Sequence, residues 1–248
     1  MVNLGRVGAS RVGKIGVYFR AVILAVAVSF TGDISNAQGL DKGMAAYYRG
    51  DYQAALKEFL PLADQGHSGA QFALGIMNYF GKGVIADNHE AVRLFRLAAD
   101  QGHAEARANL ATMYHFGRGV IADNQEAVRL NRLAADQGNA KAQTNLGSMY
   151  QNGEGVIADS KEAVRWFRLA ADQGHSGGQY KLGSMYYWGE GGIADKQEAA
   201  RWFRLAADQG HAKAQAVLGS MYQNGDGVIG DSKEAVRWFR LAADQGHS

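Results

Sequence analysis

Cysteine is absent from the 248 residues. That excludes disulfides, thiolate metal sites and a cysteine nucleophile. Proline occurs once, at Pro61. No glycine loop of the nucleotide-binding type is present either, because Gly153-x-Gly155 closes no strand-to-helix turn. Charge of one sign is not in excess, with 26 Lys and Arg against 24 Asp and Glu. The basic surplus sits at the N-terminus, where Arg6, Arg11, Lys14 and Arg20 oppose only Asp33. Without residues 1–37 the remainder is near neutral, at about −1. A nucleic-acid partner, which needs a basic face, is not expected.

Long hydrophobic runs are missing as well. The apolar stretch AVILAVAVSF, residues 21–30, falls short of the roughly 20 residues that span a bilayer, and Arg20 blocks its extension. Basic start, short apolar run and the small residues Ser35 and Ala37 before Gln38 match a secretory signal peptide over residues 1–37. With no Cys at the cleavage site, a lipoprotein is not expected. The pattern predicts export to the periplasm or out of the cell, with no stable membrane insertion after cleavage.

Glycine, at 33 residues, is abundant, but it falls at fixed positions rather than in tracts, which excludes a low-complexity linker. The stretch Asp159 to His175, DSKEAVRWFRLAADQGH, returns at a constant step. Its glycine falls at Gly102, Gly138, Gly174, Gly210 and Gly246, 36 residues apart. A period of this size marks a repeat array. Asp159 with Glu162 reads as a capping box, and Ala163, Phe167, Ala170 and Ala171 share one helical face flanked by Trp166. Arg168 is placed to pair with Asp172, and Gly174 ends the helix. A first helix such as Ala140–Gln151 presents Ala142, Leu146, Met149 and Tyr150, with Gly147 allowing close approach. Val156 and Ile157 are expected to plug the gap between helices. Residues 38–67 read as a shortened capping repeat, in which Pro61 should kink or restart the second helix. Five full repeats follow: 68–103, 104–139, 140–175, 176–211 and 212–248.

The pieces Ala142, Leu146-Gly147, Tyr150, Gly153-x-Gly155-Val156, Asp159, Ala163, Trp166-Phe167, Ala170-Ala171 and Gly174 resemble the Sel-one-like repeat (SLR), a relative of the tetratricopeptide repeat. The resemblance runs from about Leu40 to the C-terminus. It implies an all-α, right-handed α/α superhelical solenoid of about six helix–loop–helix repeats, serving mainly as a protein scaffold and often exported in bacteria. Where the family usually carries Pro, this chain has Ile85, Ile121, Ile157, Ile193 and Ile229. Asn131 replaces the second-helix aromatic in the third repeat, where the weakest interface is expected. A cysteine-rich branch associated with β-lactam binding shares none of its cysteines with this chain.

Repetition weighs against a single catalytic centre. His67, His103, His175, His211 and His247 sit at the inter-repeat turn, where Asn139 also occurs. A turn or capping role therefore accounts for them better than a metal, and no metal or cofactor is expected. The Asp/Glu pairs read as caps, Arg165 and Arg168 as a solvated ladder, and Trp166, Trp202 and Trp238 as stack core.

Positions that vary within the fixed frame are the informative ones. On the face of the first helices expected to line the concave surface they are Phe72, Tyr79, Phe80, His115, Phe116, Gln151, Tyr180, Tyr187, Trp188 and Gln223. Tyr and Trp are enriched among interface hot spots. The favoured reading is a non-enzymatic, exported scaffold that holds a protein or peptide partner there. An alternative is a protein that binds or hydrolyses cell-wall material, peptidoglycan or a β-lactam; it needs a nucleophile and base converging in a pocket, and none is legible. A purely structural element would tolerate loss of Tyr187 and Trp188. Self-association through the last repeat, near Trp238 and Phe239, is a further expectation.

Overall fold

The computed structural model describes residues 36–245, and among them every regular element is helical. The expected signal segment lies outside the described residues except for its last two, which begin the first helix. The described chain divides into two compact units, ending at Leu74 and starting at Gly75.

In the first unit, α1 (36–48) and α2 (Tyr52–Asp64) are joined by Gly50 and Asp51. Asp51 caps α2 by accepting the Ala54 N–H at 3.1 Å. α2 is continuous across Pro61, so the expected restart does not occur. Phe59 is fully buried against Gly43, where an added Cβ would collide with the ring. The division falls within α3 (Ser68–Phe80), whose first turn is capped by His67.

The second unit continues as helix pairs. First helices are α5 (Ala104–Phe116), α7 (Ala140–Asn152), α9 (Ser176–Trp188) and α11 (Ala212–Asn224). Second helices are α4 (Asn88–Asp100), α6 (Asn124–Asp136), α8 (Ser160–Asp172), α10 (Lys196–Asp208) and α12 (Ser232–Asp244). From α4 to α12 consecutive helices pack on one another, as a repeat solenoid requires. The buried residues of the pair α7 and α8 include the predicted ones, Ala142, Leu146 and Met149 on the first helix and Ala163, Phe167, Ala170 and Ala171 on the second.

Caps explain why the helices from α2 onward start where they do. Asp159 accepts the Lys161 and Glu162 N–H groups at 2.9 and 3.1 Å. The reciprocal half of the capping box does not form. The Asp159 N–H already donates to Tyr150 O at 2.9 Å, and the Glu162 carboxylate pairs with Arg165 at 3.1 Å. Arg168 likewise reaches past Asp172 to donate to Tyr186 Oη at 2.5 Å in the next repeat.

Two glycines shape each loop. Gly153 ends α7 in the left-handed region (φ 74°). Gly155 (φ 72°) lies so close to Asn124 O, at the start of the preceding second helix, that a side chain would strike it. The isoleucine that follows does not plug the gap as expected. Ile157 is 92% exposed, as are its counterparts Ile85, Ile121 and Ile229 to a similar degree. The tight Gly-x-Gly turn carries the loop outward, leaving only Val156 partly covered.

Candidate interaction face

Each first helix ends on two variable residues, and the structure separates their roles. The earlier one is tied to the loop of the following repeat, 39 residues on. Arg118 donates to Tyr79 Oη. His115 Nε2 lies 3.7 Å from Glu154 Oε2. Gln151 Nε2 donates to Glu190 Oε2 at 2.7 Å, and Tyr187 Oη donates to Asp226 Oδ2 at 3.0 Å. Lys196 joins the last pair, donating to Asp226 Oδ1 at 2.6 Å. Its hydrogen bond, followed by that of Tyr187, holds the Asp226 carboxyl below the usual carboxylate range. The same bond raises the Tyr187 pKa. The variation at these four positions is thus matched by variation at the loop residue between the two glycines.

The later residue faces solvent. Phe80 and Phe116 are each 59% exposed and Trp188 is 73% exposed, although all three are large and apolar. Phe116 leans edge-on to His115, with centroids 4.4 Å apart, and Trp188 to Tyr187 at 4.8 Å. Arg118 lies over Phe116 at 5.2 Å. Gln223 is exposed, while Phe72, in the first unit, is half-buried. Tyr180 is half-buried and stacks on the His211 ring at 4.8 Å. Of the ten expected contact residues, those presented most openly as aromatic surface are therefore Phe80, Phe116 and Trp188.

Grooves lie beside this row. One of about 230 Å³ is bounded by Ile76, Tyr79, Phe80, Phe95, Asn109 and Lys141. The Lys141 ammonium donates to Asn109 Oδ1 at 2.8 Å, and burial lowers its pKa. The next, of about 250 Å³, repeats that arrangement one period on, with Thr112, His115, Phe116, Asn131 and Asn145 in the corresponding places. A more open recess holds Thr144, Tyr180, Lys181, His211 and Lys213.

The inter-repeat histidines among the described residues are caps, and they work through a lone pair; His247 lies outside the described residues. Nδ1 of His103, His175 and His211 accepts the N–H three residues on at 3.3, 3.1 and 3.2 Å, and the Asn139 side chain does so at 2.9 Å. Burial is the first cause lowering the pKa of both His175 and His211; nearby positive charge adds to it. Trp166, Trp202 and Trp238 are buried, and their indole N–H groups have no acceptor among the described residues. No group of three His, Asp or Glu placed to hold a metal occurs among the described residues. None of the described helices is long and apolar enough to cross a membrane.

A buried amide ladder escaped the sequence reading. Gln143, Gln179 and Gln215 donate to Ala135, Ala171 and Ala207 carbonyls at 3.2, 3.4 and 3.1 Å. Each accepts in turn from the glutamine 30 residues on, Gln173, Gln209 or Gln245, at 2.7 to 2.8 Å. The signal was present, because both glutamine positions recur every 36 residues.

These features have counterparts among known proteins. The family model described as Sel1 repeat matches residues 68–103, 104–139, 140–175, 176–211 and 212–247. The chain is similar to a solved Sel1 repeat protein from Oxalobacter formigenes, with 34% identity and a TM-score of 0.78 over 84% of this chain and 85% of that one. It is also similar to a protective antigen present in uropathogenic Escherichia coli strains, displaying an SLR fold, with 34% identity and a TM-score of 0.74 over 86% of this chain. The match covers 46% of that antigen, so the chain spans about half its length. An immunity protein from Pseudomonas aeruginosa shares the fold at 20% identity and a TM-score of 0.53, over 77% of this chain and 73% of that one. No curated protein matches the chain.

Proposed function

The chain belongs to the Sel1 repeat family, and from that premise we propose that it is an exported, non-enzymatic scaffold that holds a protein or peptide along the face of its first helices. The observation that carries this reading is the set of exposed aromatics, Phe80, Phe116 and Trp188, which end three of the first helices (α3, α5 and α9), with Asn152 at the corresponding place of α7. Large rings kept in water at positions where the frame does not need them favour use as contact residues. The grooves beside them supply shape and polar groups. The signal-like residues 1–37 support a periplasmic or extracellular site of action.

The test is capture from the envelope fraction of the source cell. Residues 38–248 would be run beside a Phe80→Ala/Phe116→Ala/Trp188→Ala variant with unchanged melting. One protein retained by the parent, lost from the variant and binding the purified parent directly is the expected result. Identical capture by both removes the first-helix face as the working surface. Intact-mass analysis of protein recovered from the periplasm tests export separately, since cleavage before Gln38 is expected.

A further inference from the structure

Beneath the exposed row, one position of the core breaks the pattern. In the first unit and in four of the five later repeats a second-helix phenylalanine lies against a first-helix glycine. An added Cβ would stand 2.6 Å from the Phe95 ring at Gly75, 2.6 Å from Phe167 at Gly147, 3.0 Å from Phe203 at Gly183 and 2.9 Å from Phe239 at Gly219. Such a Cβ cannot coexist with the ring unless the ring shifts. The third repeat has neither member. Ala111 stands where the glycine would be and Asn131 where the phenylalanine would be. The two departures belong together, since alanine is accommodated once the ring is gone.

Beside these two positions lies the groove of about 250 Å³ lined by Ala111, Thr112, Asn131, Asn145 and Met149, with Phe116 and Glu154 also on its lining; it is close in size to the groove beside Phe95 and differs from it in chemistry. Its floor is polar, unlike the Phe95 floor of the neighbouring groove. Asn131 is only 2% exposed, yet its partners are weak: Nδ2 donates to the Met149 thioether at 3.6 Å, and Oδ1 accepts from Asn145 Nδ2 at 3.5 Å. A primary amide has two N–H groups and two lone pairs to satisfy, and a buried one left short of partners is costly. The walls Ala111 and Met149 are apolar. No Lys or Arg lines the cavity, so an anionic group would find no counter-charge there.

We propose that this cavity is a binding pocket for a phenol, occupied in the working protein by a tyrosine side chain of the bound partner. This deepens the scaffold reading and rests on it for the identity of the occupant. A flat ring occupies the space between helices in the other repeats, and the ring of the ligand enters between Ala111 and Met149. Its hydroxyl both donates to and accepts from the Asn131 and Asn145 amides, which a hydrocarbon ring cannot do. The exposed Phe116 ring lies at the entrance, where it meets the backbone that carries the tyrosine.

The probe is p-cresol, with toluene as control, titrated into the ¹⁵N-labelled protein while the Asn131 and Asn145 side-chain amides are followed by NMR. Saturable shifts of both with p-cresol are expected, and toluene should bind roughly tenfold more weakly for want of the hydrogen bonds. In Ala111→Gly/Asn131→Phe the amide is replaced by the ring the other repeats use, so the hydroxyl loses its partner and the Asn145 shift should vanish. A second variant, Asn131→Leu, keeps the volume but removes the amide; p-cresol should lose its advantage over toluene. Unmoved Asn131 and Asn145 signals, equal binding of toluene by the parent, or an Asn145 shift with p-cresol that survives in the phenylalanine variant would each overturn the proposal. The titration uses no partner. A pocket that takes p-cresol in a protein that captures nothing would therefore sink the scaffold reading and leave the pocket standing.

Discussion

In the fourth repeat, residues 140–175, Gly147 lies beneath the fully buried ring of Phe167; in the third, residues 104–139, Ala111 and Asn131 occupy the same two places and border a cavity. The loops, caps and spine alanines around them are nearly the same. The exchange of a ring and a hydrogen for an amide and a methyl replaces an aromatic wall, such as the one Phe95 gives the neighbouring groove, with a polar one. Two side chains that look like independent departures in a repeat alignment are one packing decision. The lost apolar burial is large, and the Asn131–Asn145 contact at 3.5 Å offsets little of it.

The comparison can be broken from either side. The largest effect is expected from Phe167→Ala, which empties the closed repeat and should cost about 3 to 5 kcal/mol. Asn131→Ala should cost far less, and urea unfolding of the two variants side by side checks the contrast. Gly147→Ala drives a methyl to within 2.6 Å of the Phe167 ring and should cost about 1 to 3 kcal/mol. Combined with Phe167→Asn it should cost less than the two singles added, because the pair then copies the third repeat. Additive costs would show that the two positions are not coupled. In the reverse direction, Ala111→Gly/Asn131→Phe should stabilise by about 1 to 2 kcal/mol, the burial of a ring less the penalty of a helical glycine.

A smaller contrast concerns the caps that open the fourth and fifth repeats. Asn139 caps α7 and cannot titrate, whereas His175 caps α9 through Nδ1. Burial puts the native pKa of His175 below the ordinary 6.5, so the unfolded chain binds the proton first. The stability from this group is therefore full above that value and is lost as pH falls through the lowered native pKa. The loss should be at most about 1 kcal/mol, the worth of a cap. Melting measured at pH about 8 and about 5 should show a smaller difference in His175→Asn than in the parent. The smallest effect is expected at the surface: Arg165→Ala removes an exposed pair with Glu162 and should change stability by less than about 0.5 kcal/mol.

Legibility in the sequence followed the range of the interaction. The helix starts at Asp87, Asp123, Asp159, Asp195 and Asp231, the stops and the buried alanines depend on residues within four positions, and they could be read directly. Local spacing pairs Arg168 with Asp172, its neighbour one turn away, but its partner Tyr186 lies 18 residues on. Tyr187 read as an open contact residue, but its hydroxyl is bonded to Asp226, 39 residues on. The glutamine ladder spans 30. These separations are set by how one repeat stacks on the next, which no local pattern encodes. Trp188 and Phe116 were legible as candidates, and only the stack decided that they face water.

The limit is plainest in α8 and α12, which share the same thirteen residues, SKEAVRWFRLAAD. Both begin on an aspartate cap that accepts two N–H groups, and both run from Ser to Asp, because propensity and capping are properties of the segment. Yet Phe167 is 0% exposed and Phe239 36%. The sequence by itself determined that each would be a helix with one apolar face. Whether that face is core or surface was decided by the tertiary structure, since removing a ring from water takes a neighbouring repeat on its far side.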